Sequence, residues 1–335
     1  MLKRNSLIDI TKFISACMVL FLHTINLSRG YGSSPIEVID KIVYAAIWII
    51  NPVEFFFVIS AYLLFSKPLR KNNERKFIKR LIILYCFWSL FYLENIVAIF
   101  KTNSFMIAVL KTARLIFLIG TGGHMWYVLG LIYAVLLLYP LLMRKKSKLG
   151  YAIGILLYMV NLLGDSYYHL IEGIPLLKHV FDLLNNGLGS MYLFRGFIFV
   201  MLGYYLATHK GRRGVKFVIP VFVLLGLLNN VELYTLKAIG TGLQYSITVL
   251  KPFTTFMLCY LVTANYTRIK GDTAFWAKFS TVLYFIHIFV RDIVCQYIAE
   301  MHIVYFIVLA VSLAITIVFD ILARRKGMRW INNVC

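Results

Sequence analysis

Long apolar segments recur along the whole chain, and they restrict its fold more than any other feature. Hydrophobic residues make up 61% of the 335 positions, which is well above the content of soluble domains. An α-helix needs about 20 predominantly apolar residues to cross a bilayer. Each such segment satisfies its own backbone hydrogen bonds within the lipid only as a helix or as part of a closed barrel. The length of the apolar runs favours helices, so the sequence predicts an all-α integral membrane protein.

We predict about ten transmembrane helices in a single polytopic membrane domain that covers residues 1–335, with no appended soluble domain. The predicted helices cover roughly residues 7–27, 41–65, 81–100, 124–143, 149–164, 191–208, 215–230, 244–264, 279–297 and 304–322.

Basic residues set the expected orientation of these helices. Of the 35 Lys and Arg residues, 24 lie in six short clusters between or beyond the apolar segments. Lys3 and Arg4 form the first cluster, and the largest occupies residues 67–80. Cytoplasmic loops of membrane proteins carry this excess of positive charge. We therefore expect both termini in the cytoplasm, and we attribute the net charge of +21 to topology and not to nucleic-acid binding.

Residues 101–123 contain two apolar patches separated by Lys111 and Arg114. If this segment crossed the membrane, the basic loops at 67–80 and 144–148 would lie on opposite sides. We interpret it as an external amphipathic or re-entrant piece.

The first predicted helix carries three ionisable residues on one face. Asp9, Lys12 and His23 share this face, because three and eleven residues are close to one and three whole helical turns. Lys12 and His23 are separated by about 16 Å along the axis. Ionisable groups in membrane helices usually face a bundle interior or a wet cavity. A packing role for His23 and snorkelling of Lys12 to the headgroups remain alternatives.

Glu54 lies near the middle of the second predicted helix, where a carboxylate needs a partner or a proton. One interpretation is a structural ion pair with Arg195, Lys251 or Arg291. The other places Glu54 on the same cavity as His23.

Five further residues are candidates for that cavity, each with a structural alternative. Ser60 is also suited to a helix–helix contact, and Trp126, close to His124, to the aromatic belt. Tyr284 and His287 lie three residues apart on one helix face, where packing explains them equally well. The five cysteines show no metal or disulfide spacing, so no metal site is expected.

Taken together, these segments resemble the acyltransferase family 3 membrane proteins, the polysaccharide O-acyltransferases. The matching elements are Asp9, Lys12 and His23; VEFFFVISAYLL with Glu54 and Ser60; the basic run that ends at Arg80; His124 and Trp126; and Ser280, Tyr284 and His287. Many family members have Arg in place of Lys12, and Ala61 replaces a usual Gly.

The resemblance implies a transferase that uses acyl-CoA from the cytoplasm, with acetyl-CoA the commonest donor. It implies an acceptor hydroxyl on an extracytoplasmic glycan or glycolipid, and a location in the cell membrane of a bacterium. Under this hypothesis His23 is the general base or carries the acyl group transiently, and Lys12, held by Asp9, positions the donor. The predicted cavity residues are Glu54, Ser60, His124, Trp126, Tyr284 and His287, and those for the coenzyme A phosphates are Lys76, Lys79 and Arg80. Trp126 and the polar stretch 165–190 are expected to hold the sugar.

A transporter or flippase for a glycolipid or small metabolite is the alternative function. Ten helices with buried charges fit this class as well. Against it, the sequence shows no inverted repeat and no matching pair of helices broken by Gly or Pro.

Overall fold

The computed structural model describes residues 5–25, 35–188, 192–209, 215–240, 242–264, 273–325 and 327–335. These residues form helices and contain no strand, which confirms the all-α prediction. Lys3 and Arg4 lie outside the described residues. The α-helices are α1 (Ser6–Thr24), α2 (Pro35–Ile50), α3 (Pro52–Phe65), α4 (Lys71–Ser89), α5 (Leu93–Thr102), α6 (Phe105–Arg114), α7 (Trp126–Met143), α8 (Ser147–Leu163), α9 (His169–Glu172), α10 (Pro175–Leu188), α11 (Tyr192–Thr208), α12 (Val215–Ile239), α13 (Lys251–Ala264), α14 (Thr273–Val294) and α15 (Met301–Ala323).

Within the described ranges, seven helical segments are long and apolar enough to cross a membrane. They are Ser6–Thr24, Glu37–Phe65, Lys71–Thr102, Trp126–Met143, Lys216–Ile239, Thr273–Val294 and Met301–Ala323. Helix α8 and the Phe194–Thr208 part of α11 are apolar but shorter. The structure therefore has the helices of a multi-pass membrane protein, but it does not reproduce the predicted count of ten spans.

The second predicted helix, 41–65, is broken, which corrects the sequence prediction. Asn51 adopts a left-handed conformation (φ 51°) between α2 and α3. Pro52 follows as the first residue of α3, a position at which the missing N–H costs no helical hydrogen bond. The Asn51 amide donates to the Thr254 hydroxyl at 2.7 Å, which ties the break to α13. Glu54 therefore lies in the first turn of a new helix.

The predicted helix 244–264 is also shorter than expected, because α13 begins only after residue 250. The Glu232 carboxylate accepts the backbone N–H of Val249 at 2.5 Å. The Asp165 carboxylate likewise accepts the N–H of Gln244 at 3.0 Å. The carboxylates of Glu232 and Asp165 thus replace helical hydrogen bonds as partners for the 242–250 backbone.

The segment predicted as amphipathic or re-entrant consists of α6, a π-helix over Leu115–Ile119 and the glycine-rich stretch before α7. On α6, Phe105 and Leu110 are 74% and 64% exposed, whereas Ala108 is fully buried. Tyr133 of α7 donates its hydroxyl to the Phe117 carbonyl at 2.6 Å and holds the π-helix. The side of the membrane on which this segment lies remains a prediction.

Close packing of α11 against α3 forms the centre of the bundle. A Cβ on Gly203 would lie 2.5 Å from the Val58 carbonyl oxygen and 2.6 Å from the Ala61 Cβ. Such small residues let two membrane helices approach closely. Glycine on α11 therefore makes room for Ala61, the residue that departs from the family pattern. Helix α1 packs mainly against α14, and this contact positions the site.

Candidate active site

A cavity of about 970 Å³ lies between α1, α3, α4, α7 and α14. Three cationic side chains line it, those of Lys12, Lys67 and Arg80, and none of the described residues that line it is acidic. Its volume is at the upper end of the range for small-molecule and cofactor sites. Its charge suits an anionic ligand.

Helix α4 brings only one of the predicted coenzyme-binding cations to this cavity. Lys76, Lys79 and Arg80 are all exposed, but only Arg80 of the three lines the cavity. Residues 67–80 are predicted as a loop, but α4 begins at Lys71, so only one face of this basic stretch turns towards the cavity. Lys67, which precedes α4, lines the cavity as well.

Hydroxyl and aromatic groups form another part of the wall. Ser60 and Tyr127 are hydrogen-bonded through their hydroxyl oxygens, 3.1 Å apart. The rings of Phe56, Tyr127 and Tyr284 contact one another at centroid distances of 5.6 to 6.2 Å. Sequence reasoning missed Tyr127, although it follows His124 by three residues at the start of an apolar helix.

Three histidines from three different elements form a cluster beside Tyr284. The His23 ring lies 5.2 Å from the His287 ring, and His287 lies 4.8 Å from His124, measured between centroids. Tyr284 donates its hydroxyl to the His124 carbonyl at 3.0 Å. The cavity lining thus includes Lys12 and Tyr284 but not His23, and the Tyr284 ring contacts the rings of His124 and His287.

Two of these imidazoles keep a ring nitrogen without a hydrogen bond. His287 Nδ1 lies 2.7 Å from the Tyr284 carbonyl, and His124 Nε2 lies 3.2 Å from the Phe285 carbonyl. Because a carbonyl only accepts, these nitrogens carry the protons in the neutral rings. His287 Nε2 and His124 Nδ1 are buried and have no hydrogen-bond partner among the described residues. Each offers a lone pair to a substrate hydroxyl or a proton.

Asp9 and Lys12 lie on the same continuous helix as His23. Asp9 is buried, and it accepts a hydrogen bond from the Thr273 hydroxyl at 2.9 Å. Thr273 begins α14, the helix that carries Tyr284 and His287. This contact therefore fixes the register of α1 against α14.

Glu54 belongs to a buried ionic network and is not among the residues that line the 970 Å³ cavity. Its carboxylate lies 3.3 Å from the Lys251 ammonium and 3.5 Å from the Arg195 guanidinium. Arg195 also lies 3.9 Å from Asp165 and is centred 5.2 Å from the Trp126 ring. The geometry matches the structural ion pair that the sequence left as one alternative. Asp165 is the member that sequence reasoning did not pair.

Cys335 also lines the cavity, and the Arg80 guanidinium donates to its carbonyl at 3.5 Å. Burial raises the pKa of the Cys335 thiol to about 11. The thiol therefore stays protonated near neutral pH and is a poor nucleophile. No group of three or more His, Cys, Asp and Glu in the described ranges could hold a metal ion.

Comparisons with known proteins find a matching family model and distant relatives. The family model described as an acyltransferase domain, that of acyltransferase family 3, matches residues 5–321. The chain is 26% identical over 232 residues to an amino-acid racemase of Enterococcus faecalis, an alignment that covers 66% of this chain and 30% of the relative. It is 28% identical over 240 residues to a serine/alanine racemase of Enterococcus gallinarum, covering 67% and 32%. The chain thus spans about a third of the length of these curated relatives. No solved structure matches it. Since the family model covers nearly the whole chain, this multi-pass membrane protein belongs to acyltransferase family 3.

Proposed function

We propose that this protein is a membrane O-acyltransferase that moves an acyl group from cytoplasmic acyl-CoA to a hydroxyl of an extracytoplasmic glycan or glycolipid. Acetyl is the first acyl group to test. The observation that carries the proposal is the cavity, which has three cations, no acid among its described lining residues, and a wall of hydroxyls that leads to the histidine cluster.

The dimensions of the site support acyl-CoA as the donor. The nucleotide end of coenzyme A is polyanionic, and charge-assisted hydrogen bonds from Lys12, Lys67 and Arg80 suit its phosphates. The pantetheine arm is long and thin, and the about 16 Å between Lys12 and His23 is comparable to its length. The positive-inside rule favours the basic α4 end of the cavity as the cytoplasmic entrance.

The proposed chemistry is a direct transfer with His23 as general base. His23 accepts the proton of the acceptor hydroxyl while its oxygen bonds to the thioester carbon. The C–S bond then breaks, and the coenzyme A thiolate takes the proton from His23. The lone pairs on His124 and His287 can accept hydrogen bonds from neighbouring hydroxyls of the acceptor. Lys12, held by Asp9, keeps the donor in place.

Transfer requires a movement of the Tyr284 ring and a binding place for the acceptor. Because Tyr284 lines the cavity and contacts two of the histidines, we expect its ring to move when the thioester reaches the cluster. We expect the acceptor to bind near the exposed His23, with Trp126 and the polar stretch 165–188 contacting its sugar.

Purified protein in nanodiscs tests this proposal directly. We expect it to bind acetyl-CoA and to release coenzyme A slowly with water as the acceptor. His23→Ala is expected to bind acetyl-CoA normally but to lose about 10²- to 10⁴-fold in release, the usual contribution of a general base. His209→Ala is the matched control, since His209 is exposed at the end of α11. Full turnover by His23→Ala would contradict the assignment.

A transporter is the second candidate, because the structure supplies the broken helices that the sequence lacked. The break at Asn51 is hydrogen-bonded to Thr254 of α13, and the non-helical residues 242–250 lead into the same helix, whose first residue, Lys251, pairs with Glu54. Discontinuous helices of this kind form substrate sites in secondary transporters. The racemase names of the relatives make an amino acid the first cargo to test. No binding of acetyl-CoA or any longer acyl-CoA, together with amino-acid uptake in proteoliposomes, would favour this function.

A further inference from the structure

Six hydroxyl groups of the described residues line the cavity, and the hydrogen bonds that they donate divide them into two sets. Four of them donate their O–H to a backbone carbonyl at 2.6, 2.8, 3.1 and 3.0 Å, respectively: Ser66, Ser280, Thr281 and Tyr284. A hydroxyl has a single proton to donate. These four groups therefore have no donor left for a ligand.

Ser60 and Tyr127 form the second set, because they bond to each other at 3.1 Å. If Tyr127 donates to Ser60, the Ser60 proton remains; if Ser60 donates to Tyr127, the phenolic proton remains. In either arrangement the pair keeps one O–H that no described backbone group uses. This is the uncommitted hydroxyl donor among the described residues that line the cavity.

We propose that Ser60 and Tyr127 together supply the hydrogen bond to the carbonyl oxygen of the acyl thioester, and to the oxyanion that forms when the acceptor attacks. This inference rests on the proposed acyl transfer and assigns a catalytic role to Tyr127. The negative charge on that oxygen develops only during the reaction, and a preorganised donor in a dry site stabilises it strongly.

The position of the pair fits this role. Tyr127 is buried, and its ring lies 5.6 Å from that of Tyr284, which contacts the histidine cluster. Lys12, Lys67 and Arg80 are charged and suit the phosphates of the same ligand. A neutral donor held by its neighbour suits a thioester carbonyl, which is uncharged in the ground state.

The step balances without a further reactant. The acceptor oxygen bonds to the carbonyl carbon, its proton passes to His23, and the carbonyl oxygen becomes negative while it accepts the O–H of the pair. Collapse restores the carbonyl and breaks the C–S bond. The thiolate receives the proton from His23, and the pair neither gains nor loses a proton.

The shared donor predicts a distinctive result for substitutions at these two sites. Ser60→Ala leaves the Tyr127 proton free, and Tyr127→Phe leaves the Ser60 proton free, so each single variant is expected to release coenzyme A within about threefold of the wild-type rate. The double variant has no donor and is expected to lose about 10²- to 10³-fold, while its acetyl-CoA dissociation constant stays unchanged. Additive or purely structural contacts would instead give a double variant equal to the product of the singles.

The matched control is Tyr133→Phe with Ser312→Ala. It removes one phenolic and one aliphatic hydroxyl from α7 and α15, away from the cavity lining, and we expect turnover like that of the wild type. If the Ala-containing double variant does not fold, Ser60→Cys replaces Ser60→Ala, because a thiol is a weak donor of nearly the same size.

An infrared measurement reports the hydrogen bond itself. Acetyl-CoA labelled with ¹³C at the carbonyl is bound to the His23→Ala protein, which keeps the thioester intact. We expect its carbonyl stretch at a lower frequency than in the same protein with the Ser60–Tyr127 double substitution. Two results would overturn the role of the pair and leave the proposed function intact. One is turnover by the wild type with an unshifted carbonyl band, and the other is a double variant whose rate is within about tenfold of the wild-type rate. No acetyl-CoA binding by wild type would overturn the proposed function as well.

Discussion

Replacement of Glu54 by Gln tests whether the buried ionic network is structural. The Glu54 carboxylate lies within 3.5 Å of both the Lys251 ammonium and the Arg195 guanidinium, and all three side chains are at most 7% exposed. Among the described residues, the acids of the network are Glu54 and Asp165, and its bases are Lys251 and Arg195. Glu54→Gln removes one negative charge and leaves a net positive charge in the interior.

The expected cost is large because the stranded charge has no access to water. Removing one partner of a buried ion pair typically destabilises a protein by about 3–5 kcal/mol. At about 2 °C per kcal/mol for a chain of this size, the midpoint of thermal unfolding should fall by roughly 5–10 °C. Adding Lys251→Met to Glu54→Gln restores neutrality, so most of the loss should be recovered. Recovery should stay incomplete, because Lys251 also donates to the Ser246 carbonyl at 2.8 Å.

Thermal unfolding of the detergent-solubilised protein measures both effects, and acetyl-CoA turnover of the same samples shows whether stability alone changes. Glu300→Gln is the control, since the Glu300 side chain is 62% exposed. An unchanged midpoint in Glu54→Gln, or no recovery in the double variant, would refute the structural interpretation. Normal stability with lost transfer would instead assign Glu54 to ligand binding.

Two further substitutions test packing and donor binding. Gly203→Ala should destabilise the protein by about 1–3 kcal/mol, because the new Cβ would lie 2.5 Å from the Val58 carbonyl oxygen. Gly173→Ala is the control: its Cβ would have no heavy atom within 4 Å, so the midpoint of thermal unfolding should stay unchanged. Arg80→Ala should raise the KM for acyl-CoA by about tenfold or more, because it removes a charged hydrogen bond to phosphate. Arg75→Ala, which changes an exposed residue outside the cavity lining, should leave the KM unchanged. An equal effect of the two substitutions would show that the general positive charge attracts the donor, and not a contact inside the cavity.

Hydrophobic length and charge placement were sufficient to predict the helical class, but not the helix ends that depend on distant partners. The break at Asn51 is coupled to Thr254, more than 200 residues away. Residues 242–250 are non-helical where the Glu232 and Asp165 carboxylates bind their backbone. Glu232 lies on α12 and Asp165 in the turn after α8, so the local pattern of 244–264 alone predicts an uninterrupted apolar helix. The corrections therefore fall where side chains compete with the helix for backbone hydrogen bonds.

Helical periodicity assigned Lys12 and His23 to one helix, and both lie on α1, although only Lys12 of the two lines the cavity. Periodicity was not applied to α4, because this stretch is predicted as a loop. Lys76 and Lys79 were therefore grouped with Arg80. The structure separates them by helical rotation, and Arg80 alone of the three lines the cavity. A cluster of like charges predicts an orientation across the membrane, and the side chains that meet a ligand follow only when the helix is known.

The site is assembled across the chain, and this explains both what was found and what was missed. His23 meets His287 from the opposite end of the sequence, and Tyr127 meets Ser60 from another helix. Each histidine was notable by itself as an ionisable group in an apolar helix. Tyr127 was not, because one tyrosine among 22 carries no signal until its hydroxyl partner is known. A residue whose chemistry is visible in isolation can be predicted from sequence. A residue whose function depends on how it shares a proton with a neighbour requires the structure.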